Sequence, residues 1–204
     1  MNTGAAAWAP STSAAAWAPA AARGAPSAPT LLAIDVECVA TSRSPSDRAV
    51  CLIAAVDAAG ARVFFEHVLP SVPVASPLTL LTGVTREDLA GARGRAEVVA
   101  DLKRRLLGPH VTLVGHGLQS DIAWLQLRRG EDFAGTQDTA KLFAVRDNNN
   151  NFAAGTMTTP SLRHLSLALL QVDMQSGAHS PDADARFAMQ LYLMHAAMTP
   201  DQLA

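Results

Sequence analysis

The chain has 204 residues, 49% of them hydrophobic, which is enough for one α/β domain with a substantial core and too few for two. A formal charge of −2 provides no global basic field, so a nucleic-acid partner would have to be held by a local patch or by bound cations. Cys38 and Cys51 both lie in apolar runs. They read as reduced core thiols of an intracellular protein, nuclear or cytoplasmic and not secreted, rather than as a disulfide framework.

Residues 1–30 are dominated by Ala, Pro, Ser and Thr and contain AAAWAP twice, which is low complexity rather than fold. Pro10 and Pro19, with alanine's weak hydrophobicity, argue against a membrane-spanning helix, and the stretch lacks the basic start of a secretory signal. A disordered leader over 1–30 and one folded domain over 31–200 are expected, with no membrane association. Trp8 and Trp17 fit docking motifs for a protein partner, although repeat expansion in an alanine-biased sequence is the favoured account of them.

From Thr30 onward, LLAIDVECVA, AVCLIAAVD and ARVFFEHVLP read as three strands of an antiparallel meander, the last two joined at Ala58-Ala59-Gly60. VPVASPLTLLTGVTREDLAG is loop-rich. RAEVVADLKRRLLG then places Val98, Leu102 and Leu106 at helical spacing and stops at Gly108-Pro109. VTLVG reads as a buried strand, LQSDIAWLQLRRG as a helix closed by Gly130, and TQDTAKLF as a strand end or short helix. The β-then-α rhythm predicts that these later strands are mutually parallel. Asp147–Pro160 reads as a polar loop, followed by two helices, SLRHLSLALLQV and PDADARFAMQLYLMHAAM. The fold class is α/β, a mixed sheet with helices on its faces.

Alternation in the first strand puts Leu31, Ala33, Asp35, Glu37 and Val39 on one face and Leu32, Ile34, Val36, Cys38 and Ala40 on the other. Neither face is polar, so Asp35 and Glu37 stand about 7 Å apart on one side of a strand that otherwise reads as buried. A buried pair of like charges is costly, and each raises the other's pKa. A divalent cation relieves both effects, whereas a salt bridge or a solvent edge would explain a lone Asp-x-Glu. The anomaly recurs, however. Asp121 falls on the apolar stripe of Leu118, Ile122 and Leu125, and Asp184 on that of Phe187, Ala188 and Leu191. Ser180 and Pro181 mark the start of the last helix, which sets Asp184 about one turn in and His179 just outside. Asp182 reads as an exposed first-turn acid.

Four inward carboxylates without a Cys/His cluster select Mg²⁺ or Mn²⁺ over Zn²⁺. Two such ions about 4 Å apart could bind one phosphodiester. Asp35 is then expected to bridge both ions, Glu37 and Asp184 to complete the ion on the nucleophile side, and Asp121 to hold the other. His179 is the candidate general base.

DVECV, GHGLQSDIAWL and HSPDADARFAMQLY, in that order, resemble the three exonuclease motifs of the DEDDh family, whose histidine precedes the last aspartate by five positions. LLTGVTREDL resembles that family's leucine/serine-Gly-Ile-Thr segment. QDTAKLF and PSLRHLSLALL resemble the Asp-Thr and Ser-Leu-Arg-x-Leu stretches of its eukaryotic RNA exonuclease branch. The resemblance spans about residues 31–196, and the ordered set is far more specific than any one motif. It implies a ribonuclease H-like fold and 3′→5′ hydrolysis of single-stranded RNA to nucleoside 5′-monophosphates, with Asp35, Glu37, Asp121, His179 and Asp184 in the catalytic places. Asp138 reads as structural. Cys38 stands where that branch often has methionine, and Asn148–Asn151 extends a loop.

Leu80, Leu81, Thr82 and Gly83 are assigned to the terminal nucleotide, Gly83 permitting close backbone approach. Arg86, Arg93, Arg95 and Lys103-Arg104-Arg105 are the only basic concentration; they either track a phosphate backbone or form a solvated helix face. The rival functions are the same chemistry on DNA, a non-catalytic nucleic-acid-binding or adaptor domain of this fold, and a metal-dependent phosphohydrolase of small molecules.

Overall fold

The computed structural model describes residues 30–146, 157–174 and 180–199. The leader, the asparagine run and His179 lie outside the described residues. Strands β1 (Thr30–Ala40), β2 (Arg48–Asp57) and β3 (Arg62–Leu69) form the expected antiparallel meander. Asp57 closes the β2–β3 turn, its carboxylate accepting from the amides of Ala59 and Ala61, while Gly60 takes φ 79°. Helices α1 (Thr79–Thr82) and α2 (Arg86–Ala90), strand β4 (Arg93–Gly94) and helix α3 (Arg95–Leu106) follow. Then come β5 (Val111–Gly115), α4 (Gln119–Leu125), β6 (Gly135–Asp138) and α5 (Thr139–Leu142). A short β7–β8 ladder joins Val145–Arg146 to Met157–Thr158. The last elements are α6 (Leu162–Leu165) and α7 (Pro181–Ala197).

The main sheet has the order β4-β3-β2-β1-β5-β6, with β5 parallel to both β1 and β6 as the rhythm predicts. One face of β1, through Leu32, Ile34 and Val36, packs with Val98 and Leu102 of α3 and with Leu118 and Leu125 around α4. On the other face Ala33, Val56 and Val114 meet Ala185 and Met189 of α7. Small residues on both sides of that contact let the helix approach the sheet closely. Further along the same face Val39, Cys51 and Leu52 pack under Val84 and Leu89 of the α1–α2 segment. The face bearing the acids is therefore roofed by α7 at one end and by α1–α2 at the other.

Two expected helices come out shorter. α4 stops at Leu125 rather than near Gly130, because Gln126 turns left-handed (φ 54°) and swings Leu127 into the core. Buried Asp132 then holds the turn, accepting from the Arg128 amide at 2.7 Å and pairing with Lys103 at 2.8 Å. In SLRHLSLALLQV, the Ser161 hydroxyl caps α6, which widens into a π-type turn over Ser166–Leu170 and ends at left-handed Gln171. Among the described residues no helix is long and apolar enough to cross a membrane.

Gly115 ends β5 where the chain must leave the sheet. A Cβ there would lie 2.5 Å from a Leu118 methyl and 3.3 Å from the Ile34 carbonyl oxygen. Leu118 is fully buried and cannot swing away. Gly115→Ala is expected to cost about 1–3 kcal/mol by overpacking, read as a lower denaturation midpoint; unchanged stability would refute the tight packing.

Candidate active site

β5 pairs with β1 only as far as Ala33, opposite Val114, after which the two strands part. Beyond that point Asp35 and Glu37 remain on the α7 face of β1. α4 enters beside the vacated edge, which brings the Asp121 carboxyl near enough to the Val36 backbone for that amide to favour its charged form. Asp184 reaches the same place from the first turns of α7. One carboxylate oxygen from each of Asp35, Glu37 and Asp184 lies within 4.8 Å of the other two, so this trio could hold a divalent cation. Asp121 stands outside the trio, inward-facing and only 6% exposed, as its position on the stripe predicts.

Burial is the main influence on the Asp35 carboxyl, pushing it well above the usual carboxylate range; repulsion from Asp121, Asp184 and Glu37 adds in that order. Asp121 is pushed up to about 7, again chiefly by burial, with Asp138 and Glu37 repelling its charge and the backbone amides of Asp121 itself and of Val36 opposing them. The Cys38 thiol is driven to about 12 by burial and by Asp121 and Glu37, so it is neither a nucleophile nor a thiolate ligand at neutral pH. Oxygen donors alone suit a hard cation.

Residues read as structural in the sequence build the floor of this site. Asp138 accepts from the Gly117 amide at 2.8 Å and, as the N-cap of α5, from the Ala140 amide at 3.1 Å. Gly117 has φ 73°, a left-handed conformation that glycine adopts without strain. The Thr139 hydroxyl donates to the Gly115 carbonyl at 3.1 Å and lies 3.0 Å from His116 Nδ1. The loop that launches α4, and with it Asp121, is thus tied down residue by residue.

α7 is fixed at its start as well. Ser180 occupies the N-cap position and Pro181 the first turn, but the Ser180 hydroxyl bonds Asp182 rather than a backbone amide. Asp182 was expected to be exposed; instead its side chain is 15% exposed and paired with Arg62 at 3.8 Å and Arg186 at 3.6 Å. Arg186 also donates to the Gly60 carbonyl at 2.9 Å, binding α7 to the β2–β3 turn. The arginine pair, which the sequence spacing did not reveal, turns this acid inward.

On the α1 side Leu80 is 97% and Leu81 52% exposed. Thr82 is buried, its hydroxyl donating to the Pro77 carbonyl at 3.0 Å and accepting from the Val84 amide at 3.1 Å, so it shapes the turn itself. Gly83 follows at φ 71°, and Leu78 enters α1 at φ 55° with its amide on the Ser76 hydroxyl. The basic concentration is largely neutralised: Asp101 takes Arg93, Arg104 and Arg105, Glu66 and Glu97 share Arg93, and Asp132 takes Lys103. That pattern is a solvated, self-paired helix face.

No family model matches the chain. It is 33% identical over 165 residues, 80% of its length, to RNA exonuclease 4 of Gibberella zeae. It is 32% identical over 162 residues to small RNA degrading nuclease 3 of Arabidopsis thaliana, covering 78% of its own length. The chain belongs to the DEDDh-type RNA exonuclease family. It spans 48% of the first of these relatives and 19% of the second. The ribonuclease H-like fold also matches the Saccharomyces cerevisiae Pan2 pseudoubiquitin hydrolase–RNA exonuclease module solved with A7 RNA. There the TM-score is 0.63 at 24% identity, over 84% of this chain and 29% of that one.

In this member of the family, Asp35 and Asp121 hold protons more tightly when folded than when unfolded. The metal-free protein should therefore lose stability as pH rises from the ordinary carboxylate range toward 7, by an amount on the order of a few kcal/mol. A bound cation would replace those protons. In EDTA the melting temperature should fall between about pH 5 and pH 7.5, and Mg²⁺ should raise it more at the higher pH. A pH-independent melt, or a Mg²⁺ effect equal at both values, would contradict the burial of these acids.

Proposed function

We propose that this chain is a 3′→5′ exonuclease acting on single-stranded RNA and releasing nucleoside 5′-monophosphates. The observation that carries the reading is the convergence of Asp35, Glu37 and Asp184 within 4.8 Å, with buried Asp121 beside them, in a member of an exonuclease family. RNA is preferred over DNA because the curated relatives are RNA exonucleases and an RNA-degrading nuclease.

In this reading Asp35, Glu37 and Asp184 would hold one cation, Mg²⁺ or Mn²⁺, and Asp121 with Asp35 would hold a second. When bound, the cations supply Lewis acidity for the attacking water and charge stabilisation for the departing 3′-oxygen. The site residues divide the remaining work. His179, which precedes Ser180 in the sequence, takes the proton of the water that attacks the terminal phosphorus; the bond to the upstream 3′-oxygen breaks, and the phosphate leaves on the 5′ side of the released nucleoside. Leu80 and Leu81, exposed on α1, offer an apolar surface for the terminal base, and Gly83 lets the backbone approach its sugar. The cations would also offset the negative charge of these carboxylates, so the site would repel the substrate's phosphates less than the same acids would alone.

Incubation with 5′-labelled RNA and DNA strands in Mg²⁺ or Mn²⁺ should give a ladder shortening from the 3′ end, faster on RNA. EDTA or Asp35→Asn should abolish it. Intact strands in both metals would end the exonuclease reading, faster DNA loss would reassign the substrate, and internal cuts would mean an endonuclease.

His179→Ala should leave the Mg²⁺-induced rise in melting temperature intact while lowering kcat about 10²–10⁴-fold, the range for loss of a general base. The wild-type rate should rise with pH through the histidine range. A rate that is flat across that range, or a variant as fast as wild type, would remove the base assignment.

A further inference from the structure

α3 and α4 do not close against each other along their whole length. Between them runs a groove of about 690 Å³ flanked by Arg95, Lys103, Gln119, Ile122, Gln126 and Arg128. It continues, through Arg95, Ala123 and Gln126, into a second hollow of about 370 Å³ bounded by Arg48, Pro70, Val72 and Trp124. No acidic residue lines either one.

The charges along this path are unevenly satisfied. Lys103 is paired with Asp132 and Arg128 with Glu131. Arg48 donates only to the carbonyls of Ser44 and Asp47, and Arg95 only to the carbonyl of Trp124. Each therefore keeps a full positive charge with no carboxylate partner among the described residues, unlike Arg93, Arg104 and Arg105. Between these two arginines, Trp124 is 36% exposed.

The groove is built on two elements that also carry acids of the cluster, α4 and the β1–β2 ladder. Trp124 follows Asp121 on α4 by three residues, an axial rise of about 4.5 Å. Arg48 faces Ala40 across the β1–β2 ladder, three positions beyond Glu37. The second hollow thus reaches the Ala40 end of β1, on the α3–α4 side of the sheet.

We propose that this groove carries the single-stranded RNA upstream of the nucleotide being removed. Phosphates meet Arg48 and Arg95, and a base stacks on Trp124. Uncompensated arginines interleaved with an exposed aromatic match how single strands are held without regard to sequence, by backbone charge and by stacking. An acid-free lining favours a polyanion, and the guanidinium groups can turn from carbonyls to phosphates without breaking an ion pair. The inference rests on the exonuclease reading above.

The test compares kcat/KM on a trinucleotide and on a strand of about 20 nucleotides, long enough to fill such a groove. The proteins are full-length wild type, Arg48→Gln/Arg95→Gln and Trp124→Leu. Glutamine keeps a donor for the carbonyls and leucine keeps apolar packing; thermal melts verify that each variant is folded. The preference for the long strand should fall about 5-fold or more in either variant, through KM rather than kcat. In the double variant the dependence of log KM on log salt for the long strand should become shallower by about 1.4. Folded variants that keep the wild-type preference and salt slope overturn the groove assignment, as does an equal loss on both substrates. Failure of wild type to degrade either strand overturns the exonuclease reading instead, so the two failures are distinct.

Discussion

Mutual repulsion among buried carboxylates governs the design of this molecule. Asp35 is surrounded by Glu37, Asp121 and Asp184, and every one of these neighbours raises the cost of its ionisation on top of the cost of burial. Among the described residues the main influences on Asp35 include no arginine or lysine. A fold could avoid such a cluster with a single apolar substitution at each site, at little structural cost. Its retention makes sense where a multiply charged cation is the missing partner, because one ion offsets several pairwise repulsions at once.

Holding four repelling groups together requires a rigid frame, and the frame is drawn from distant parts of the chain. β1 supplies two acids from the stretch past the point where β5 leaves it, where only β2 still pairs with it. The third depends on the turn between Gly115 and Leu118, which Asp138 and Thr139 anchor from the next strand–helix junction. The fourth depends on α7, clamped to the β2–β3 turn by Arg186 and packed on Ala33 and Val114 through Ala185 and Met189. Hydrogen bonds at these anchors are each worth about 1 kcal/mol net, more where a carboxylate accepts. Their value lies in fixing where the charges stand, since any slack would let the acids drift apart and lose the cation site.

How much of this was legible in the sequence followed from period and face. Alternation in β1 and the apolar stripes of α4 and α7 located the four acids because those signals are local: a carboxylate sits where the pattern demands an apolar side chain. The meander and the parallel β5–β6 pair followed from the same periodicities. What escaped depends on contacts between distant residues. The left-handed turn at Gln126 is forced by Leu127 entering the core and by Asp132 pairing with Lys103, neither of which has a local signature. Asp182 is drawn inward by Arg62, more than a hundred positions away in the chain. Composition likewise shows a basic cluster at 103–105 but not that Asp101 and Asp132 neutralise it.

That neutralisation decides how a weakly acidic protein could attract a polyanion. With a net charge of −2 there is no long-range field to steer a substrate, and screening confines any surface charge to about 8 Å at physiological salt. Self-paired residues such as Arg93 and Arg104 have little left to offer a phosphate, since binding one means breaking a contact already made. Attraction must then come from cations whose present partners are neutral carbonyls, and from metal ions at the acid cluster. Both sources lie at the same end of the sheet, one on each side of β1. A strand held there would cross the end of β1, with its last phosphodiester over Asp35 and its upstream phosphates on the α3–α4 side. In the proposed reading a strand end enters the face roofed by α1–α2 and α7 while the groove takes the upstream chain, an arrangement that would favour removal from an end over internal cutting.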